Sequence, residues 1–256
     1  QVSIETLFPG DVLEHGVGTI LIAADQPAPV WLSMVDNKTG DATFEPYESF
    51  SFRASPEDRR VIPGVAATPG ANGTRWQTDV YGFFPGVESA AEGGGIVDWK
   101  AFLRPASPAS CPGFPVETTL HPADMGKGFF VIPDVVRQFA ACDSSAGLTG
   151  AFEMRVASWM AGLARTYTTR PDGGTYGDML PFYPERGWPV QHFSGIVIDP
   201  RFRINVGLYN GMERVVRHRL SLYGATGELV SESTLELQPH ESRQQPVEAL
   251  FGRSFS

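Results

Sequence analysis

The chain repeats part of its own sequence at a distance of about one small domain. Residues 75–83 (RWQTDVYGF) return as residues 201–209 (RFRINVGLY), 126 positions later. Residues 18–44 run in step with residues 150–176 at an offset of 132 positions. A period this long corresponds to a whole domain rather than to one turn of a solenoid. The sequence therefore predicts the back half of one unit, a complete unit, and the front half of another.

Within these units, polar and apolar residues alternate with a period of two, which is typical of strands with one solvated face. Residues 202–208, 216–222 and 233–238 all alternate in this way, and residues 223–228 supply a Gly-bearing hairpin turn. Residues 129–140 are apolar and are compatible with either a pair of strands or a short helix. About seven strands per unit, with turn signals every 8–12 residues or so, predict a β-sandwich of immunoglobulin type.

The expected fold class is all-β, with two immunoglobulin-like β-sandwich units. Residues 58–187 form the complete unit, while residues 1–57 and 188–256 are partial units that combine into a second sandwich. That sandwich closes either within one chain or with a neighbouring chain. Residues 4–8 (IETLF) resemble residues 247–251 (VEALF), which predicts the same strand at both ends. A fragment cut from a longer array would show this duplication too.

Two cysteines, Cys111 and Cys142, lie in loop-like sequence of the complete unit. Without CxxC spacing or clustered histidines they make no convincing zinc site. We expect them to form a disulfide, with two unpaired thiols as the alternative. Trp188 and Phe193 flank the boundary between the second and third units, where we expect them to pack the two sandwiches together.

Several functional classes are disfavoured by charge and motif content. A net charge of −9 argues against nucleic acid and against an anionic membrane surface. No apolar run reaches membrane-spanning length, and no GxSxG or HExxH motif is present. The five histidines have no metal-ligand spacing, and His218 on an apolar strand face predicts a hydrogen-bonded core histidine. We expect no catalytic residue, metal or cofactor.

Residues 36–41 (DNKTGD) place oxygen ligands around a glycine, as calcium loops do. The segment lacks the terminal glutamate of an EF-hand and aligns with the turn at residues 171–174. It therefore predicts a plain hairpin turn.

Residues 61–80 (VIPGVAATPGANGTRWQTDV), with Phe84-Pro85-Gly86 shortly after, resemble a module of bacterial secreted proteins that occurs as tandem immunoglobulin-like repeats. These proteins are mostly uncharacterised. Residues 165–167 (RTY), 174–177 (GTYG) and Pro181 are similar to the motif that closes such a module. The resemblance implies a secreted or surface β-sandwich and brings no catalytic residues. The last unit lacks the PGANG turn before Arg201.

The expected function is that of a non-enzymatic extracellular structural or adhesive protein, secreted or on the cell surface. Its expected partners are proteins, through self-association or neighbouring repeats. Complementary strands at the two ends would then assemble copies head to tail, and unless the rotation closes they build a filament. The alternative is a carbohydrate-binding or accessory module of a secreted enzyme, with a glycan as partner. A hydrolase using carboxylates ranks third, since no pair stands out among 29 Asp and Glu residues.

Overall fold

The structure is a computed structural model. It describes residues 31–46, 58–70, 73–83, 99–106, 116–120, 129–140, 147–156, 161–185, 190–194, 196 and 204–252. In these ranges the chain forms fifteen strands and two short helices. The predicted all-β class is therefore confirmed.

Five antiparallel strands form a first sheet in the order β6–β5–β8–β3–β11. The register of β3 against β8 shifts between Ile62 and Val65, where Pro63 has no amide hydrogen to offer the ladder. A bulge at this point bends β3, and its last residues, Thr68 and Pro69, pair with the second sheet. The bounds of these strands are β3 Asp58–Pro69, β5 Trp99–Pro105, β6 Val116–Leu120, β8 Leu148–Val156 and β11 Tyr183–Pro184.

The second sheet has the order β10–β9–β4, with β7 on the other side of β4. Among the described strands β10 pairs only with β9, so β10 forms one edge of this sheet. The bounds are β4 Arg75–Phe83, β7 Phe129–Ile132, β9 Ala161–Thr169 and β10 Thr175–Pro181. Residues 129–140 thus contain a strand followed by a short helix, α1 (Val135–Phe139).

The core lies between the two sheets and the helix α1. Alternate residues of each strand point into it, as the sequence pattern predicts. On β8, Phe152 and Met154 enter the core, whereas Ala151 and Glu153 lie on the opposite face. The central core members are Ile62, Val65, Val80, Leu103, Phe130, Val135, Val136, Phe139, Phe152, Met154 and Phe182.

Three hairpin-like pairs of strands flank the two sheets. The first is a hairpin of β1 (Trp31–Val35) and β2 (Ala42–Pro46), which confirms the turn predicted for residues 36–41. The others belong to the C-terminal segment, residues 204–252, in which β12 pairs with β15 and β13 with β14. The bounds are β12 Asn205–Tyr209, β13 Val216–Tyr223, β14 Leu229–Leu237 and β15 Ser242–Pro246.

The strand predicted at residues 247–251 is wrong, because these residues form the helix α2 (Val247–Phe251). Val247 and Leu250 are both buried, and a spacing of three places them on one helix face. Gly252 ends the helix in the left-handed conformation with φ 63°, as helix C-termini favour. The matching residues 4–8 lie outside the described ranges.

The two sheets that share β3 make the described part sandwich-like. The immunoglobulin type of the sandwich stays a prediction. So do the unit boundaries at residues 1–57, 58–187 and 188–256. No helix in the described ranges is long and apolar enough to cross a membrane.

Candidate functional site

A buried carboxylate lies where the C-terminal segment covers the outer face of the first sheet. Glu153 on β8 has a side chain only 1% exposed, and the Nε of Arg104 lies 2.7 Å from its Oε2. Neither atom makes a well-directed hydrogen bond, so the contact is an ion pair. The Tyr209 hydroxyl, from β12, donates a hydrogen bond to Oε1 of the same carboxylate. We call these three residues, with Glu213 and His240, the Glu153 cluster.

His240 connects the buried carboxylate of the cluster with an exposed one. Its Nδ1 lies 3.5 Å from Glu153 Oε1, and its Nε2 lies 3.1 Å from Glu213 Oε2. The Glu213 side chain is 74% exposed. His240 occupies the turn between β14 and β15 with φ 58°, a left-handed conformation that is uncommon outside glycine. The turn is thus held in a costly conformation that brings the imidazole to the cluster.

Asn210 holds together the two loops that carry Glu213 and His240. This residue is 2% exposed. The two hydrogens of its Nδ2, one of them shared, donate to the carbonyl oxygens of Arg214, Leu237 and Gln238 at 2.8, 3.1 and 2.9 Å. Its Oδ1 accepts from the Met212 amide at 2.9 Å. Because both the NH2 group and the oxygen of this buried side-chain amide are hydrogen-bonded, Asn210 fixes the relative position of the loops.

The same loop approaches the first sheet closely at Gly211. A Cβ at this position would lie 2.3 Å from the backbone oxygen of Glu185. The Glu185 side chain forms an ion pair with Arg59 of β3 at 2.6 Å, and Arg59 lies 3.8 Å from Glu213. The absence of a side chain at Gly211 therefore lets the loop sit against the chain that follows β11.

Burial and charge determine the protonation of the cluster. Burial raises the pKa of the Tyr209 phenol far above its usual value, and the adjacent Glu153 carboxylate raises it further. Tyr209 is therefore a neutral donor. The hydrogen bond from His240 lowers the pKa of Glu213, and the hydrogen bond to Glu185 raises the pKa of Arg59. The cluster thus combines a neutral donor with paired charges and can hold two segments in one geometry.

A second polar contact joins the β1–β2 hairpin to β10. Asp36 Oδ1 accepts from the amides of Lys38 and Thr39 at 2.8 and 3.1 Å, which shapes the turn. Asp36 Oδ2 accepts from the amide and the hydroxyl of Thr175 at 2.9 and 2.6 Å. The hydrogen bond from that hydroxyl is the main cause that lowers the pKa of Asp36. The two hairpins in contact are those that the sequence repeat aligns.

Several residues singled out by sequence lie outside the described ranges, namely Cys111, Cys142, Trp188, His15 and His121. The predicted disulfide between Cys111 and Cys142 therefore stays a prediction. Phe193 is 70% exposed, and the inter-unit packing proposed for it with Trp188 stays a prediction.

His218 lies on the inner face of the β13–β14 hairpin, opposite Leu235. Its Nδ1 is buried and has no hydrogen-bond partner among the described residues. The prediction of a hydrogen-bonded core histidine is therefore wrong for this nitrogen. Burial lowers the pKa of His218. No three His, Cys, Asp or Glu side chains of the described residues are grouped as metal ligands would be.

Sequence reasoning missed Glu153, Tyr209 and His240. In the alternating pattern of β8, Glu153 lies on the face that is predicted to be exposed to solvent. Only the covering C-terminal segment, 56 positions away at Tyr209, turns that face into an interior. Pro239 predicts the end of a strand, but no local signal predicts that the imidazole of His240 reaches Glu153.

No family model, curated protein or solved structure matches this chain. The resemblance to tandem immunoglobulin-like repeats therefore stays a prediction. Three exposed aromatic residues lie on separate segments: Tyr176 on β10, Phe193 in residues 190–194 and Tyr223 on β13. The carbohydrate-binding alternative stays a prediction as well.

Proposed function

We propose that the protein is a non-enzymatic structural or adhesive protein, secreted or on the cell surface, with β units joined in a fixed relative geometry. The Glu153 cluster carries this proposal. Its carboxylate and its main donor come from different segments, and the carboxylate is closed off from solvent. A buried polar cluster adds little net stability but accepts few alternative geometries. It therefore suits a joint that has to keep one orientation.

The proposed assembly of copies is head to tail, through strands of the two ends. The β13–β14 hairpin supports it, since among the described strands these two pair only with each other. Val216, Leu220 and Leu222 on its inner face are only half-buried. A two-stranded sheet with an apolar face is marginally stable alone and has unpaired edges that accept further strands.

The joint is tested by small-angle X-ray scattering of the wild type and of Glu153→Ala in the same buffer. Extrapolated to zero concentration, the scattering should give a larger radius of gyration for the variant than for the wild type, because the C-terminal segment detaches. Tyr223→Ala, at an exposed position (61%), is the control and keeps the wild-type curve. Identical curves for Glu153→Ala and the wild type would contradict a fixed joint.

The assembly is tested by size-exclusion chromatography with light scattering over a hundredfold concentration range, followed by negative-stain microscopy. We expect masses that grow with concentration and open-ended particles. A single monomeric mass at every concentration removes the head-to-tail assembly while leaving the fixed joint in place.

A further inference from the structure

Among the described residues, the free edge of β10 is closed by side chains instead of by another strand. In the antiparallel pair with β9, alternate residues of β10 direct their backbone groups away from β9. The hydrogen bonds identify these as Thr175, Gly177 and Met179, followed by Pro181. Each of these four positions is blocked against strand addition.

The outward amides of the first three positions all donate to aspartate carboxylates. Thr175 donates to Asp36 at 2.9 Å and Gly177 to Asp41 at 2.8 Å. Met179 donates to the neighbouring Asp178 at 2.8 Å. The fourth position, Pro181, has no amide hydrogen. Charged side chains and proline are known means of keeping edge strands from pairing.

The β1–β2 hairpin supplies two of the three carboxylates and one hydroxyl. The Thr39 hydroxyl donates to the Thr175 carbonyl oxygen at 2.8 Å, so both outward backbone groups of Thr175 are satisfied. The Lys38 ammonium donates to the Asp172 carbonyl oxygen at 3.0 Å. No β-ladder joins the hairpin to β10 among the described strands. The contact therefore depends on a few side chains that a competing strand can displace.

The uncovered edge would be complementary to itself. If β10 strands of two copies run antiparallel about a two-fold axis at Gly177, Thr175 lies opposite Met179 of the other copy. All outward amides of both strands then find carbonyl oxygens. Pro181 falls opposite residue 173, beyond the strand, where no ladder bond is needed. Such an interface uses the same patch on both copies and closes at two.

We propose that the β1–β2 hairpin is an intramolecular cap on a strand-addition edge, and that the partner of the uncapped edge is the β10 strand of a second copy. The cap keeps the wild-type edge closed, so this surface is distinct from the proposed head-to-tail contact at the ends. Displacing the hairpin produces a closed dimer rather than a filament.

The test removes the cap in two independent ways. Asp36→Asn with Asp41→Ala keeps the turn oxygen of residue 36 but places an amide nitrogen against the Thr175 amide. Gly174→Ala leaves both carboxylates intact, but its Cβ would lie 2.7 Å from Thr39 Cγ2. Gly207→Ala, where a Cβ meets nothing within 4 Å, is the control. Amide hydrogen exchange at Thr175 and Gly177, measured at dilutions where the protein is monomeric, reports whether the hairpin has left.

Light scattering then reports the mass. At a concentration low enough for the wild type to be monomeric, we expect both uncapped proteins to reach twice the mass of the 27.8 kDa chain, and Gly207→Ala to stay monomeric like the wild type. Adding Met179→Pro to either variant removes an outward amide without breaking a bond to β9, and we expect it to restore the monomer. The proposal is overturned if the amides exchange freely and the protein stays monomeric, or if Met179→Pro leaves the association unchanged. Open-ended growth that the wild type shows equally belongs to the head-to-tail contact, whereas open-ended growth confined to the uncapped variants also overturns this assignment.

Discussion

The Tyr209 hydroxyl donates a hydrogen bond to the Glu153 carboxylate across 56 positions of sequence. One partner lies on the central strand of the first sheet and the other on the first described strand of the C-terminal segment. The bond therefore joins parts of the chain that otherwise fold as separate sheets.

Tyr209→Phe removes one donor from a buried carboxylate and should be strongly destabilising. A hydrogen bond to a charged group contributes about 1.5–3 kcal/mol, and we expect a loss of about 2 kcal/mol in the free energy of unfolding. Urea denaturation measures it. Tyr223→Phe, on a side chain 61% exposed, is the matched control and should change stability by less than about 0.5 kcal/mol. Equal effects of the two substitutions would show that the Glu153 bond contributes nothing.

Glu153→Gln keeps the shape of the side chain but leaves Arg104 without a counter-charge. Breaking a buried pair from one side costs about 3–5 kcal/mol, so we expect a loss near the lower figure. A double-mutant cycle with Tyr209→Phe should give a coupling of about 1 kcal/mol or more, because the two side chains share one bond. Strict additivity in the urea data would mean that they act separately.

Gly211→Ala should push the loop of residues 210–214 away from the chain after β11. The added Cβ would lie 2.3 Å from the backbone oxygen of Glu185, and overpacking of this kind costs about 1–3 kcal/mol. The control is Gly207→Ala, with open space around its Cβ. Thermal unfolding of the two variants measures the difference in melting temperature. A melting temperature for Gly211→Ala at or above that of Gly207→Ala would contradict the close approach of Gly211 to Glu185.

His218 should make the protein less stable in mild acid. Burial lowers its pKa below the usual 6.5, so the unfolded chain binds this proton more readily than the folded one. Stability is then complete above the unfolded pKa and is lost as the pH falls below 6.5 toward the folded pKa. His218→Leu removes this contribution. Urea midpoints between pH 8 and 5 should fall less for His218→Leu than for the wild type, and parallel curves would rule out the effect.

Local pattern was sufficient for much of the fold. The β13–β14 hairpin is predicted by the alternation in residues 216–222 and 233–238 and by the turn between them. In a strand with one solvated face, polar and apolar residues alternate, so the local sequence shows which face each side chain occupies. The turn at residues 36–41 is likewise local, with Asp36 bonding to the amides two and three positions ahead. The strand predicted for residues 247–251 rested on their resemblance to residues 4–8 and is wrong. The three-residue spacing of the buried Val247 and Leu250 is the helical signal in this segment.

The all-β class, the hairpin turns and the faces of individual strands follow from local sequence, since these depend on neighbours within a few positions. Three features come from the tertiary fold: Glu153 is an interior residue, His240 lies next to it, and Asp36 and Asp41 close the edge of β10. Each of these rests on a contact between segments far apart in the chain. A charged residue on a strand face reads as solvated until another segment covers it, and no local pattern records which segment does so.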